Sequence, residues 1–485
     1  MRPSQKHMRA IAGRAALICV TVACASTARA QTLQQELSNA YASNPQIRGS
    51  RAQLEATAED VPQALSGWRP TVTITASGGP VQLDSFTRST ARNVVGTNYF
   101  HTQLYQAAIT QPLYSGGQTV ARTAQADHLF AAAQWQLVSI EQTVLSAVAT
   151  DYADVLRDQA IVELNAKNVK FLEHELQRSR ARIHAGEVTQ TDVSQSEGYY
   201  ATGQASLKQA EAALATSRAN YLRDIGHPPG RLTLPHIKFA IPKDRDTAVD
   251  ETMSDNPDLL AAKESTLASK DNVDAVRSQL LPQIALQAGV QRTNDLNIEG
   301  QELTAKTIKL QMTMPLYEAG SIYSQTRQAM RTVAVQRSQV DTTQRSAVDT
   351  VGATWDTLDH VRGVVTALRE ATRADAKTLE GMIAENAVGV RTVFDVLNAQ
   401  QTLFQAQVAL AQAIATEFTA QVQIAQSVGK LTAASLKLPV APYNPNAYMN
   451  AVRDKWIGFY PANEDDFPTT GPETAPAGSR SMPNE

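Results

Sequence analysis

The chain has 485 residues, enough for several ordinary domains. It is 43% hydrophobic but only 6% aromatic, lean for one large packed core, and its formal net charge of −3 argues against nucleic acid as a partner. No run of about 18 uninterrupted apolar residues occurs, so α-helical membrane spans are excluded.

Arg2, Lys6, Arg9 and Arg14 precede an apolar stretch over 15–25, and Ala28-Arg29-Ala30 gives a small-x-small cleavage pattern before Gln31. An export leader over residues 1–30 is predicted. A membrane anchor would need a longer apolar run. A lipidated Cys24 would need a leucine where Thr21 stands. Cys19 and Cys24 both fall in the leader, so the exported chain has neither disulfide nor thiolate metal site. Its 39 basic residues face 47 acidic ones, a net of −8.

The chain then reads as two related halves. Asn44-Pro45 recurs as Asn256-Pro257, and Trp68-Arg69-Pro70 aligns with Leu280-Leu281-Pro282, both offset by 212. Gln111-Pro112-Leu113-Tyr114 recurs as Met314-Pro315-Leu316-Tyr317, offset by 203. Gly117, Gly186, Asp192 and Gly226 keep that offset to Gly320, Gly389, Asp395 and Gly429. The nine-residue change, between Pro70 and Pro112, predicts a loop tip that tolerates length. The divisions predicted are repeat 1 over 31–230, repeat 2 over 231–438, and a Pro-rich extension over 439–485.

In each half the apolar period switches from helix to strand and back. Residues 33–66 and 247–280 read as helices of about 34 residues. Thr71-Val72-Thr73-Ile74-Thr75 alternates strictly, as do Ile284, Leu286, Ala288 and Val290, and Ile308, Leu310 and Met312 against Lys309, Gln311 and Thr313. The return strand over 99–114 alternates less cleanly. Hairpins are predicted over about 69–114 and 282–317, with tips near 78–98 and 291–305. Four strands of about ten residues match the length a tilted strand needs to cross a bilayer.

After Gly117 and Gly320 the helical period returns for about 67 residues, about 100 Å of helix. Gly186 and Gly389 are the predicted reversal points, each followed by a second helix of about 40 residues. Beyond Leu438, eight prolines argue against regular structure. The stretch over 443–460 is expected to pack on the helices, and 462–485 to be disordered.

Four amphipathic strands cannot close a barrel, and an open sheet edge cannot sit in lipid. Chains must pool strands, and twelve leave a lumen where eight do not. Two chains would give eight strands and three would give twelve, and with the long helices continuing the wall the expected architecture is a tunnel. The sequence resembles outer membrane efflux proteins of the TolC family, exit ducts of tripartite pumps and type I secretion systems. The resemblance covers roughly 31–438. It is carried by Asn44-Pro45, Trp68-Arg69-Pro70, Gln111-Pro112-Leu113-Tyr114-Ser115-Gly116-Gly117, and Val388-Gly389-Val390-Arg391-Thr392 leading into Asp395-Val396-Leu397-Asn398-Ala399-Gln400. It implies the fold class, a trimeric twelve-stranded β-barrel with four strands per chain continuing into a long α-helical barrel, and an outer membrane homotrimer with no cofactor, working with a periplasmic adaptor and an inner-membrane pump or ABC transporter.

The resemblance also implies a periplasmic aperture. Asp395 matches an acidic constriction, where crowding is expected to keep part of the ring protonated near neutral pH. Asp192 and Arg391 match the positions of closing bonds, and Thr191 beside Asp192 is expected to add an acceptor. Asn398 stands where the best-known members carry a second acid, and Asn386 replaces an aromatic residue. Read locally, Asp192 and Asp395 are helix-start carboxylates following Gly turns. The tips, with Gly186, Glu187, Gly389 and Val390, are expected to dock adaptor hairpins. His101, His128, His174, His184, His227, His236 and His360 lack metal-ligand spacing and read as solvated. Gly116-Gly117 lacks the Lys-Ser/Thr of a phosphate loop, and no catalytic constellation is present, so an enzyme is not expected. The alternatives are a periplasmic coiled-coil adaptor or scaffold, and a plain porin, which would be nearly all strand.

Overall fold

The computed structural model describes residues 31–88, 93–184, 186–235, 237, 239–295 and 300–458. The expected leader, the expected tail after 461, His236 and the end of the first hairpin lie outside the described residues.

The first segment, expected as one helix, is three: α1 (Leu33–Ser43), α2 (Pro45–Ala58) and α3 (Asp60–Leu65), closed by a 3-10 turn (Ser66–Trp68). The second, also expected whole, is α6 (Arg245–Asp255) and α7 (Pro257–Arg277). The breaks before proline fall at Asn44 and Asn256, both extended, with ψ of 127° and 120°, while the interruption at Glu59 keeps helical backbone. Proline disfavours helical backbone in the residue before it, and each Asn side chain caps the helix that follows. Apolar periodicity misses the break because helices on both sides bury the same face.

The four strands are β1 (Thr71–Arg88), β2 (Asn93–Ser115), β3 (Gln283–Asn294) and β4 (Glu302–Thr313), an antiparallel sheet in the order β1-β2-β3-β4. The first hairpin corrects the ten-residue expectation: its strands have 18 and 23 residues, against 12 and 12 in the second. The inserted residues lengthen the ladder, and strand continues through 78–88, where a tip was expected. Beyond Gln103↔Asn294 the first hairpin extends past β3 as a two-stranded ribbon. Gly78, Gly79 and Pro80 are tolerated there because β1 is an edge strand.

Register sorts the sheet into two unlike faces. Val72, Ile109, Ala288 and Ile308 form one rung across all four strands, and Leu286↔Leu310 and Ile284↔Met312 extend that apolar face. The opposite rung is Thr71, Thr110, Gln287 and Lys309. Ile308 is 81% exposed and Ile74 82%, so the apolar face is uncovered within one chain.

From the sheet the chain enters α4 (Gln118–His184), turns into α5 (Gln190–Ile225), and after the second hairpin repeats this as α8 (Ser321–Ala387) and α9 (Val393–Ser427). Both long helices have 67 residues. The main core lies where α1, α4 and the end of α5 meet residues 431–438, around Leu37, Leu145, Tyr152 and Tyr221. A second cluster joins α6, α8 and α9, and a third joins α2, α3 and α4.

The prolines after 438 do not exclude regular structure throughout: α10 (Asn446–Val452) begins after Pro445 and buries Met449 against Leu54 and Phe130. Of the stretch expected to pack on the helices, Tyr443, Tyr448 and Met449 do so.

Candidate functional site

The site is the end of the two helical hairpins farthest from the sheet. Gly186 and Gly389 sit at φ of 76° and 80°, left-handed backbone that glycine adopts without strain. In both turns the second helix starts with the same device. Thr189 and Thr392 are the N-caps, and Asp192 and Asp395 are the third residues of their helices. The Thr189 N–H and hydroxyl donate to Asp192 Oδ2, each at 2.8 Å, while Thr189 Oγ1 accepts from the Asp192 N–H. Thr392 and Asp395 repeat this at 3.0, 2.9 and 3.2 Å. These reciprocal bonds satisfy orphan donors of the first turn. The helix-start reading of both aspartates is therefore the one made within a chain.

Donation from Thr392 holds the Asp395 carboxyl below the usual carboxylate range, with a smaller contribution from Arg391. Within the chain this opposes the protonation expected from crowding. Arg391 does not meet Asp192 or Thr191 within the chain: its Nε donates to Glu385 Oε2 at 2.9 Å, across its own turn. Glu385 accordingly raises the Arg391 pKa. Asn398 is exposed one turn beyond Asp395. Glu187 pairs with Arg182 at 3.0 Å, and Val390 and Val388 are 70% and 75% exposed.

What joins the two hairpins is mostly buried. Asn386, 3% exposed, donates from Nδ2 to the Arg391 carbonyl at 2.8 Å and accepts from Arg182 Nη1 at 3.4 Å. Deeper in, Gln400 Nε2 on α9 donates to Asn168 Oδ1 on α4 at 2.8 Å. Apolar clusters around Leu172, Val393 and Leu397, and around Leu379, Val396 and Leu403, complete the seam. The roles of Arg182, Asn168 and Gln400 escape the sequence reading. The only signal is polarity at positions an apolar seam should occupy.

Two histidines expected as solvated are paired. His128 Nδ1 lies 2.8 Å from Glu264, linking α4 to α7, and His227 Nε2 lies 3.0 Å from the buried Glu36. Among the described residues, no group of three or more His, Cys, Asp or Glu is placed to hold a metal ion. No described helix is long and apolar enough to cross a membrane.

A sheet with one uncovered apolar face, set on helices about 100 Å long by their 1.5 Å rise per residue, has the features of a membrane protein with a long helical extension. The family model of the outer membrane efflux proteins matches residues 37–226 and 248–430, and the chain belongs to that family. The outer membrane efflux protein BepC of Brucella suis biovar 1 is 31% identical over 457 residues, 94% of this chain and 97% of BepC. The outer membrane protein TolC of Vibrio cholerae is 27% identical over 394 residues, 79% and 87% of the two chains. The crystal structure of the outer membrane protein VceC of Vibrio cholerae shares the fold, with a TM-score of 0.70 at 19% identity over 82% of this chain and 96% of VceC. This protein is an outer membrane exit duct and not an enzyme.

Proposed function

We propose that three copies pool their strands into a twelve-stranded barrel whose lumen continues through a helical barrel across the periplasm, a passive conduit gated at the hairpin tips. The observation that carries this is the sheet. Its apolar face fits lipid, its polar face fits a water-filled lumen, and the outer edges of β1 and β4 have no partner strand among the described residues. Tyr323, Met330 and Val335 on α8 are exposed within one chain, which suits burial against a neighbouring copy. Matching lengths of α4 and α8, and of α5 and α9 at 36 and 35 residues, support a duplicated protomer.

At the tips, three Asp395 carboxylates around the axis would form a cation-selective constriction. With Arg391 held by Glu385 on its own turn, a closing bond to Asp192 would have to displace that pair. Gly186, Glu187, Gly389 and Val390 form the surface for a periplasmic adaptor, which couples the duct to an inner-membrane pump or ABC transporter. In planar bilayers the trimer should favour cations and be blocked by multivalent cations added from the tip side. Asp395→Ala should remove that block. A soluble monomer without conductance would overturn the duct, and block surviving Asp395→Ala would place the ring elsewhere.

A further inference from the structure

The segment after Leu438 runs along the helices toward the sheet. Its order of contacts fixes the direction. The Arg51 guanidinium lies between the rings of Tyr41 and Tyr443, 4.7 and 4.9 Å from their centroids. Tyr443 then donates to Glu55 at 3.1 Å, and Tyr448 to Glu59 at 2.8 Å. Finally Arg69 donates to the carbonyls of Lys455 and Arg453 at 2.8 and 3.1 Å. The partners climb from residue 51 to residue 69, two positions before β1 begins. The strap therefore ends at the junction between helices and barrel.

That end is apolar and uncovered. Ile457 is 91% exposed, and Trp456 is 64% exposed with its ring 5.1 Å from the Arg69 guanidinium. Other exposed apolar residues stand at the same level, within four residues of a strand end: Trp68, Leu281, Leu316 and Tyr317. Aromatic side chains collect where hydrocarbon gives way to headgroups, and Lys and Arg beside them reach phosphate. Arg453 and Lys455 precede the pair in sequence, with Asp454 between them.

We propose that the strap over 439–458 is a membrane-surface tether, inserting Trp456 and Ile457 into the phospholipid leaflet nearest the helices. The occupant is lipid because the exposed apolar pair is fastened to Arg69, two residues before a strand whose apolar face is itself uncovered, and has Arg453 and Lys455 beside it. The fastening bonds from Arg51, Glu55, Glu59 and Arg69 hold it at that height, so little ordering remains to be done when the barrel enters a bilayer. The tether rests on the barrel reading.

The test uses the full chain in vesicles of phosphatidylethanolamine and phosphatidylglycerol, with Trp68, Trp135 and Trp355 replaced by Phe so that Trp456 alone reports. Lipids brominated near the headgroup end of the acyl chain should quench its emission more than lipids brominated near the terminal methyl, and acrylamide should quench it little. If the triple variant fails to assemble, the difference between wild type and Trp456→Phe in the same vesicles gives the same quantity. Emission quenched by acrylamide but not by bromolipid would place Trp456 in water and overturn the tether. Emission insensitive to both would bury it against protein, such as a second copy, and overturn it equally. Single-channel conductance of the same preparation reports barrel insertion, so failure of the tether and failure of the barrel are distinguishable.

Discussion

If the duct opens by moving α8 and α9 against α4 and α5, the buried bond between Asn168 and Gln400 should set how firmly it stays shut. The two side chains are 4% and 9% exposed, and their amides meet at 2.8 Å. Gln400→Ala leaves Asn168 Oδ1 buried without this donor, which costs about 1–3 kcal/mol. Once the helices part, water supplies the donor, so the cost falls on the closed arrangement alone. Three protomers opening together would lose about 3–9 kcal/mol of closure. At about 1.4 kcal/mol per tenfold, the open-to-closed ratio rises at least about a hundredfold. Open probability in planar bilayers reads this directly, and cells should become sensitive to large antibiotics such as vancomycin. Asn168→Leu with Gln400→Leu replaces both polar groups by apolar contact and should restore much of the closure. Intact Gln400→Ala trimers with unchanged open probability would refute the reasoning, as would a double variant as open as the single one.

Two further outcomes follow from the helical part. A Cβ at Gly429, where φ is +75°, would run into the carbonyl oxygen of Asp255, whereas a Cβ at Gly389, at φ +80°, meets nothing within 4 Å. Gly389→Ala should cost about 1–2 kcal/mol, the left-handed penalty alone, and Gly429→Ala about 2–5 kcal/mol, in thermal denaturation of the trimer. Equal losses would show that the Asp255 contact relaxes freely. Burial, with Asp224 beside it, pushes the Asp151 carboxyl up to about 7, and Asp154 adds to this while Arg223 opposes it. A raised acid pKa means that the folded state keeps a proton the unfolded chain releases, so stability falls as pH rises from about 4 to about 7. Asp151→Asn should flatten that slope and stabilise the protein at about pH 8, by about 2–4 kcal/mol if the whole shift is relieved. An unchanged slope would assign the dependence to other groups.

The long helices, their Gly turns and the four strands are legible because each rests on local information: period, glycine and alternation. The misses have physical causes of the same kind. Gly78-Gly79-Pro80 carries the residues of a turn, yet these lie in β1, where an edge strand in a protruding ribbon has no packing for them to disturb. Asn44-Pro45 is a break that the rule for residues before proline exposes and apolar periodicity hides. Pro445 precedes α10 rather than preventing it, because proline harms a helix in its interior and not at its start. The bonds Arg182–Asn386 and Asn168–Gln400 join residues 204 and 232 positions apart, and no local pattern encodes such a pairing.

At the tips the local and the functional readings of the two aspartates reinforce each other. A carboxylate bonded to both the N–H and the hydroxyl of its N-cap threonine cannot swing as a free surface side chain does. It is also held ionised at Asp395, because protonation would weaken those bonds. A constriction built from such residues carries a charge whose position is set by the helix start rather than by a rotamer. A carboxylate occupied in its own cap is poorly free to bind a distant arginine, so on the proposed gate closure would draw little from such a bond. Arg391 is correspondingly engaged by Glu385 on its own turn, in a pair that is exposed and open to screening by salt. On the gate proposed above, the groups that would distinguish closed from open are the buried ones, Asn386, Asn168 and Gln400, together with the apolar seams around Leu397 and Leu403. On that gate, charge would select what passes, and buried amides and packing would decide when.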